Sequence, residues 1–445
     1  MKPSATLALG LSCLCKQAVA GGSVFAHYMV GGITQDHANT DIQEAIAAGF
    51  DAFALNLMST DDWSTSAVSA LFSASAGTDF KLFFSFDMTH FSDPSDFIPV
   101  LKDYVGNDNY YTYSGKPFVS TFDGGTMTFG SSDPNSGWTN SFKTVLSDAG
   151  IDVFFVPDFD DASNYPNDFF STFSVVDGAF SWETAWPTVN SGKVNVSDSV
   201  DSTLIGDAHS SSKVYMMPLS TFQFKHLDSS QNWYRRGESN IVDRMAQVLS
   251  LQPDLVEVIT WNDGGEGHYI GNVWEEAISS STIGNYTNGF SHAGWQTLIP
   301  PFVSAYKSGA TDLSQISTSD GKPVGVMWYR ELLITASCSG DSLGQPAGMD
   351  SGEDAISYAV ILPSSGSYTI NVYSNNNKIG SASGTAGLNG GTVTGLVAGS
   401  ADSQRVEVVD DSNGQSVVIS ATGTKDVSGE ASGLCNFNYV VVAMS

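Results

Sequence analysis

Positive charge is scarce in this chain of 445 residues: 18 Lys and Arg stand against 47 Asp and Glu, for a formal net charge of −29. Phosphate backbones and anionic membrane surfaces are repelled by such a chain, and no basic patch exists to overcome the field. Nucleic acid and membrane are therefore excluded as partners, and a neutral polymer remains. Long apolar runs are missing as well. Beyond the first 20 residues no stretch reaches the roughly 18 unbroken apolar residues that a membrane-spanning helix needs. Neither a phosphate-cradling glycine loop nor a dinucleotide fingerprint occurs, so no nucleotide cofactor is expected. The 7 histidines include no His-x-x-x-His, so no metal site is expected. Asp158, Asp160 and Asp161 lack the spacing of a calcium loop and read as an acidic loop.

Cysteine is also rare, with 4 in all. Cys13 and Cys15 fall inside Met1–Ala20, which has the form of a signal peptide: Lys2 at the start, a short apolar stretch from Ala5 to Cys15, and Ala18-Val19-Ala20 as a small-residue cleavage site. Lys16 breaks the segment, so it is too short to span a bilayer. The mature chain is expected to be secreted, in the medium or the cell wall, as a monomer. In an oxidising compartment the remaining pair, Cys338 and Cys435, is expected to form one disulfide. Closing a loop of about 100 residues adds roughly 4 to 5 kcal/mol on the chain-entropy account. Asn195-Val196-Ser197 and Asn285-Tyr286-Thr287 are glycosylation acceptor triplets that fit export.

From Val24 to about Gly309 short apolar runs alternate with longer amphipathic segments. The expected strands are Val24–Val30, Ala52–Leu57, Lys81–Asp87, Pro117–Asp123, Asp152–Asp158, Val176–Glu183, Val214–Ser220 and Leu255–Asp263. Near-continuous Val, Phe, Leu and Ile mark strands buried on both faces. Helical patterns lie between them, including Asp41–Gly49 with Thr40 as its cap, Ser66–Ala76, Phe97–Val105, Trp138–Ala149, Asn240–Leu251 and Trp295–Lys307. The stretch from Val189 to Ser212 is weakly patterned. This order and length predict an α/β fold, a (β/α)8 TIM-type barrel over residues 21–318. A doubly wound open sheet is the alternative, and its usual nucleotide fingerprint is absent. After Thr311 the text turns to short alternating strands with Gly, Ser and Asn turns, which predicts a C-terminal β-sandwich domain over residues 319–445. Only Trp328 among the tryptophans belongs to that part, which favours a stabilising or positioning role over sugar binding.

Active sites of parallel β/α barrels are built at the C-terminal ends of their strands. Asp87, Asp123, Asp158 and Glu183 each follow an apolar run, and the last run ends Trp261-Asn262-Asp263-Gly264-Gly265-Glu266. Carboxylates at strand ends also start loops and cap helices, so each alone carries little. Several around one mouth, flanked by Trp182, Trp186, Trp233 and Trp261, point to acid/base cleavage of a glycosidic bond. Such cleavage needs one carboxyl group to protonate the leaving oxygen and another to activate water or attack the sugar. Asp263 and Glu266 are close in sequence, and Asp87 is the third member: a base, a group that polarises the base, or a ligand for a sugar hydroxyl. Substrate contacts are expected from His27, Asn56, Asp123, Asp158, Trp182, Glu183, Trp233, Trp261, His268 and Tyr269.

The blocks Ala26-His27-Tyr28-Met29-Val30-Gly31, Ser85-Phe86-Asp87, Phe180-Ser181-Trp182, Tyr215-Met216-Met217-Pro218 and Trp261-Asn262-Asp263 resemble the fungal α-1,3-glucanases, or mutanases. The likeness runs in order from Val24 to about Gly271. It implies an endo-acting hydrolase of α-1,3-glucan that inverts the anomeric carbon, with Asp263, Glu266 and Asp87 as its essential carboxylates. By position Glu266 is assigned as general acid and Asp263 as base, with the exchange of the two, or Asp87 as base, left open. The chain departs from the family pattern at Gly264, where an aromatic residue is usual, and at Gly267, where Ser is usual. The first departure removes a sugar-stacking contact beside the pair. Two other readings share these residues: a hydrolase of a different or mixed α-glucan linkage, and a non-catalytic wall protein that binds glucan.

Overall fold

The computed structural model describes residues 22–278, 282–364, 366–412 and 414–445. The expected signal peptide, with Cys13 and Cys15, lies outside the described residues. Strands β1 (Val24–Met29), β2 (Ala52–Leu57), β3 (Lys81–Asp87), β4 (Lys116–Phe122), β5 (Phe154–Phe155), β6 (Gly178–Phe180), β7 (Val214–Leu219) and β8 (Leu255–Val258) form a parallel sheet. Neighbours run β5–β4–β3–β2–β1–β8–β7–β6. Asp158, just past β5, makes a further parallel bridge to Phe180 at the end of β6. The result is a mixed α/β fold whose sheet curls strongly. The strands are buried along nearly their whole length, as their unbroken apolar sequences require, and each fully buried Phe or Leu contributes about 2 kcal/mol.

Several element ends differ from the sequence expectation. The strands expected over Asp152–Asp158, Val176–Glu183 and Leu255–Asp263 shorten to β5, β6 and β8. Beyond those cores pairing continues through single bonds, such as Ile259 N to Leu219 O (2.9 Å) and Trp261 N to His27 O (2.7 Å). The first helix begins at Gln35, capped by Thr34, whose side chain accepts from His37 N. Thr40 lies inside that helix and donates back to Asp36 O. The helix expected over Trp138–Ala149 is broken into α, π and α pieces across Pro134–Asp148. The weakly patterned stretch does hold a helix, Ser199–Ser210. Unforeseen was the antiparallel hairpin Gln223–Asp228 with Gln231–Arg235, inserted directly after β7.

The C-terminal part carries two four-stranded antiparallel sheets. One pairs Gly387–Thr394, Ala355–Leu362, Val324–Arg330 and Tyr439–Ala443; the other pairs Asn377–Gly384, Tyr368–Ser374, Arg405–Asp410 and Ser416–Thr422. Met327, Tyr358 and Val360 of the first share a buried cluster with Ile370, Val372, Val406 and Val408 of the second. Cys338 and Cys435 are disulfide-bonded, as expected. A buried polar knot ties this part to the curled sheet. Arg330 donates to Tyr234 Oη (2.8 Å), Glu238 Oε1 (2.9 Å) and Tyr439 Oη (3.2 Å). Burial opposes the charge on Glu238, but Arg330 and the surrounding donors outweigh it and hold the carboxyl below its ordinary value.

Candidate active site

The chain leaving β8 folds back on itself and so presents two carboxylates at once. Thr260 N donates to His268 O (3.0 Å), and Ile270 N returns a bond to Thr260 O (3.1 Å). Inside this loop Asp263 N donates to Thr260 Oγ1 (2.8 Å), and Glu266 N donates to Asp263 Oδ1 (3.0 Å). Phe224 N, on the inserted hairpin, then donates to Glu266 O (2.8 Å). Gly267 sits at φ +75°, a left-handed turn that favours glycine, where an added Cβ would lie 3.1 Å from Phe224 O.

Asp263 and Glu266 line a cavity of about 340 Å3 together with Asp87, Asn56, Phe122, Trp182 and Lys225. Oxygens of the two carboxylates and a nitrogen of His268 all lie within 4.8 Å of one another. Glu266 is surrounded by donors. Lys225 Nζ is 2.8 Å from Oε1, His268 Nε2 is 3.2 Å from Oε2, and Gln223 Nε2 also donates to Oε2. Burial would raise Glu266, but the hydrogen bond from His268 and the positive charges beside it outweigh burial and hold it well below the usual carboxylate range. Asp263 moves the other way: burial first, then the negative charge of Glu266, raise it above its ordinary value against the pull of His268 and Lys225. The two carboxyls are thus shifted in opposite directions, Asp263 towards holding a proton and Glu266 towards carrying negative charge.

Asp87 enters the same cavity from the end of β3. Its Oδ1 accepts from Thr89 N (3.0 Å) and Thr89 Oγ1 (2.6 Å), with His90 Nδ1 at 3.4 Å. Among the described residues Oδ2 accepts no hydrogen bond, which leaves it available to water or a sugar hydroxyl. Asn56 Oδ1 is buried at the cavity wall and also lacks a donor.

A second acidic group stands at the ends of β4 and β5. Oxygens of Asp123, Asp158 and Asp160 lie within 4.8 Å of one another. Burial and mutual repulsion push Asp123 up to about 7, while burial is the main cause that raises Asp160 to about 6. Asp158, fully buried, is raised well above its ordinary value for the same reasons. This trio relieves its charge by holding protons in mildly acidic solution. These two carboxylate groups are the arrangements with three potential metal ligands among the described residues, and Lys225 already supplies a cation to the first.

The other sequence candidates separate cleanly. Trp182 lines the cavity and packs edge-on against His268 and His27, with ring centroids 5.8 and 4.8 Å apart. His27 is buried below it, with Nδ1 2.6 Å from Glu257 Oε1. Glu183 turns to an adjacent depression and pairs with Arg235 at 2.7 Å. Trp233 stands behind the wall: its indole donates to Gln223 Oε1 (2.9 Å), and Lys225 lies over its ring. Trp261 and Tyr269 do not reach the cavity. Trp261 is fully buried against Phe53, because the chain after β8 turns inward. Tyr269 is stacked on His292 and donates to Phe290 O. Both are core residues, a correction to their expected role as substrate contacts. Asn195 and Asn285 are exposed. Lys225 and Gln223 were missed by sequence reasoning; the alternation Gln223-Phe224-Lys225-His226 before Asp228-Ser229-Ser230 was the available signal for a hairpin. The letters Gly340-Asp341-Ser342-Leu343-Gly344 match a nucleophile-elbow pattern, but no helix follows, and Asp341 is held by His226 and Cys435 N instead.

The profile of glycosyl hydrolase family 71 matches residues 21–445. The chain belongs to that family. It is 39% identical over 376 residues to the glucan endo-1,3-alpha-glucosidase agn1 of Schizosaccharomyces pombe, covering 83% of this chain and 85% of that protein. It is 33% identical over 363 residues to a Penicillium rubens mutanase, covering 80% and 75%. An ascus wall endo-1,3-alpha-glucanase of S. pombe is 30% identical over 441 residues, covering 96% and 98%. A GH99 endo-alpha-mannosidase of Bacteroides thetaiotaomicron resembles 64% of this chain and 98% of its own length in fold, with a TM-score of 0.50 at 11% identity. This family 71 protein is a glycoside hydrolase.

Proposed function

We propose that this hydrolase cleaves internal α-1,3-glucosidic bonds of fungal cell-wall glucan outside the cell. The observation that carries the reading is the close pair Asp263 and Glu266, shifted in opposite directions by their surroundings, in a cavity that Asp87 enters from another strand. Asp263 donates its proton to the leaving glycosidic oxygen. Glu266, fixed by Lys225, Gln223 and His268, keeps that proton in place by its charge. Asp87, with Oδ2 open, activates the water that attacks the anomeric carbon. Inversion is the outcome of this division, with Asp87 rather than Glu266 as base, because an inverting site sets acid and base about 6.5 to 9.5 Å apart to admit water and Glu266 stands too near Asp263 for that role. The same closeness favours a second reading, retention, in which Glu266 attacks the sugar and Asp263 serves as acid and then base.

The fold is read as a complete (β/α)8 barrel over residues 21–318, supported by the Asp158–Phe180 bridge between the two ends of the strand order. Residues 319–445 are read as a β-sandwich domain, supported by the cluster shared between its two sheets. Secretion as a monomer, with glycans on Asn195 and Asn285, is supported by the signal-like first 20 residues, by the exposure of both asparagines and by the disulfide. No helix among the described residues is long and apolar enough to cross a membrane. The test is release of soluble oligosaccharides from insoluble α-1,3-glucan, with β-1,3-glucan and starch as controls. Release from α-1,3-glucan alone supports the reading. Release from another polymer removes the linkage, and binding without release from any removes the activity.

A further inference from the structure

A second cavity of about 350 Å3 adjoins the first and shares Met29, Met58, Asp263 and Gly265 with it. Two indoles line this lobe, those of Trp63 and Trp274. Trp63, in the first turn of the helix Asp62–Ser75, is 43% exposed, the one tryptophan among the large apolar side chains that the described residues leave in solvent. Trp274 is fixed in place. His37 stacks on its ring at 3.7 Å with a 4° interplanar angle, and its Nε1 donates to Asp41 Oδ2 (2.9 Å). Gly31 and Gly32 also line the lobe, packed so closely on Glu276 and Ala277 that an added Cβ would lie 3.1 to 3.2 Å from them.

Position 264 explains why an aromatic is needed here from elsewhere. A Cβ on Gly264 would lie 2.9 Å from Val273 and 3.0 Å from Ile283 and Thr287. An aromatic side chain, usual at this point in the resembling family, has no room in this chain. An exposed indole above a groove without charged side chains, apart from Asp263 itself, suits the apolar face of a neutral sugar ring. We propose that this lobe is a further glucosyl subsite, in which Trp63 is the stacking platform that fixes how a glucan chain extends past Asp263. The inference rests on the reading of the cleft as a glucan site and deepens it by naming the residue that senses chain length.

The test compares wild type, Trp63→Ala and Trp63→Phe on α-1,3-linked oligosaccharides of graded length. The ratio of kcat/KM for long over short oligomers is expected to fall about tenfold in Trp63→Ala and to recover largely in Trp63→Phe. An unchanged ratio in Trp63→Ala overturns the proposal. A thermal melt checks that the surface substitution leaves the fold intact. If wild type prefers another linkage, the same ratio is measured with that glucan, so the linkage fails without the subsite failing. If no glucan is cut at all, calorimetric binding of the longest oligomer decides. Weaker binding in Trp63→Ala keeps the subsite without the activity, and equal binding removes it.

Discussion

Asn in place of Asp123 is expected to stabilise the protein in a pH-dependent way. In the folded state burial, then the charges of Asp161, Asp160 and Asp87, raise Asp123 from 3.8 to about 7. The folded chain therefore binds this proton more tightly than the unfolded chain. Stability from that difference is fully present below the unfolded value and is lost as pH rises through the folded one. A shift of this size corresponds to about 4 kcal/mol in full, and solvent at the partly exposed carboxyl reduces it to about 2 kcal/mol. Asp123→Asn carries no charge to desolvate, so its advantage over wild type should be near zero at about pH 4 and reach about 2 kcal/mol at about pH 8. Urea unfolding of both proteins across that range measures the difference directly. A gain of equal size at both ends would refute the account, because it would come from packing or a new hydrogen bond. A wild-type stability that rises over the same window in step with the variant would do so too.

Three further outcomes follow from the same geometry. Glu266→Gln removes the negative charge that helps keep Asp263 protonated, so the alkaline limb of kcat should move to lower pH, with a loss of about 100-fold or more at neutral pH and partial recovery in acid. An equal loss at every pH would instead make Glu266 a reacting group, as the sequence-based assignment had it. Arg330→Met leaves buried Glu238 with only the more distant Arg236 (3.4 Å) to balance its charge, and should cost about 3 kcal/mol in chemical denaturation; a loss under about 1 kcal/mol would show that Arg236 or water takes over the charge. Removing the disulfide by Cys338→Ser with Cys435→Ser should cost about 2 to 5 kcal/mol, read as a lower melting temperature under conditions where reductant no longer matters.

Much of the parallel sheet was legible because its strands are buried on both faces and so leave continuous apolar runs, as in Ala52–Leu57 and Lys81–Asp87, which match the structure to the residue. Strand ends were harder. Beyond Val258 the backbone still pairs, but through isolated hydrogen bonds rather than a continuous ladder, and the apolar Ile259 and Trp261 look like strand in sequence while serving as core. Trp261 and Tyr269 were misplaced for the same reason: nearness to Asp263 in sequence does not say which way the returning loop turns a side chain. Asp263, Glu266 and Asp87 were legible because acidic groups at the ends of apolar strands stand out. Lys225 and Gln223 were not, since they belong to a hairpin inserted after β7 and reach Glu266 only through tertiary folding. Their effect on the charge of Glu266 is what leads the proposed mechanism to make Asp263, rather than Glu266, the proton donor.

The most direct test of the central claim is proton NMR of the first product formed from an α-1,3-linked oligosaccharide, recorded before mutarotation scrambles the anomers. Direct displacement by an Asp87-activated water, with Asp263 as proton donor, predicts that the β-anomer appears first. Early accumulation of the α-anomer would contradict it and assign Glu266 as the attacking group.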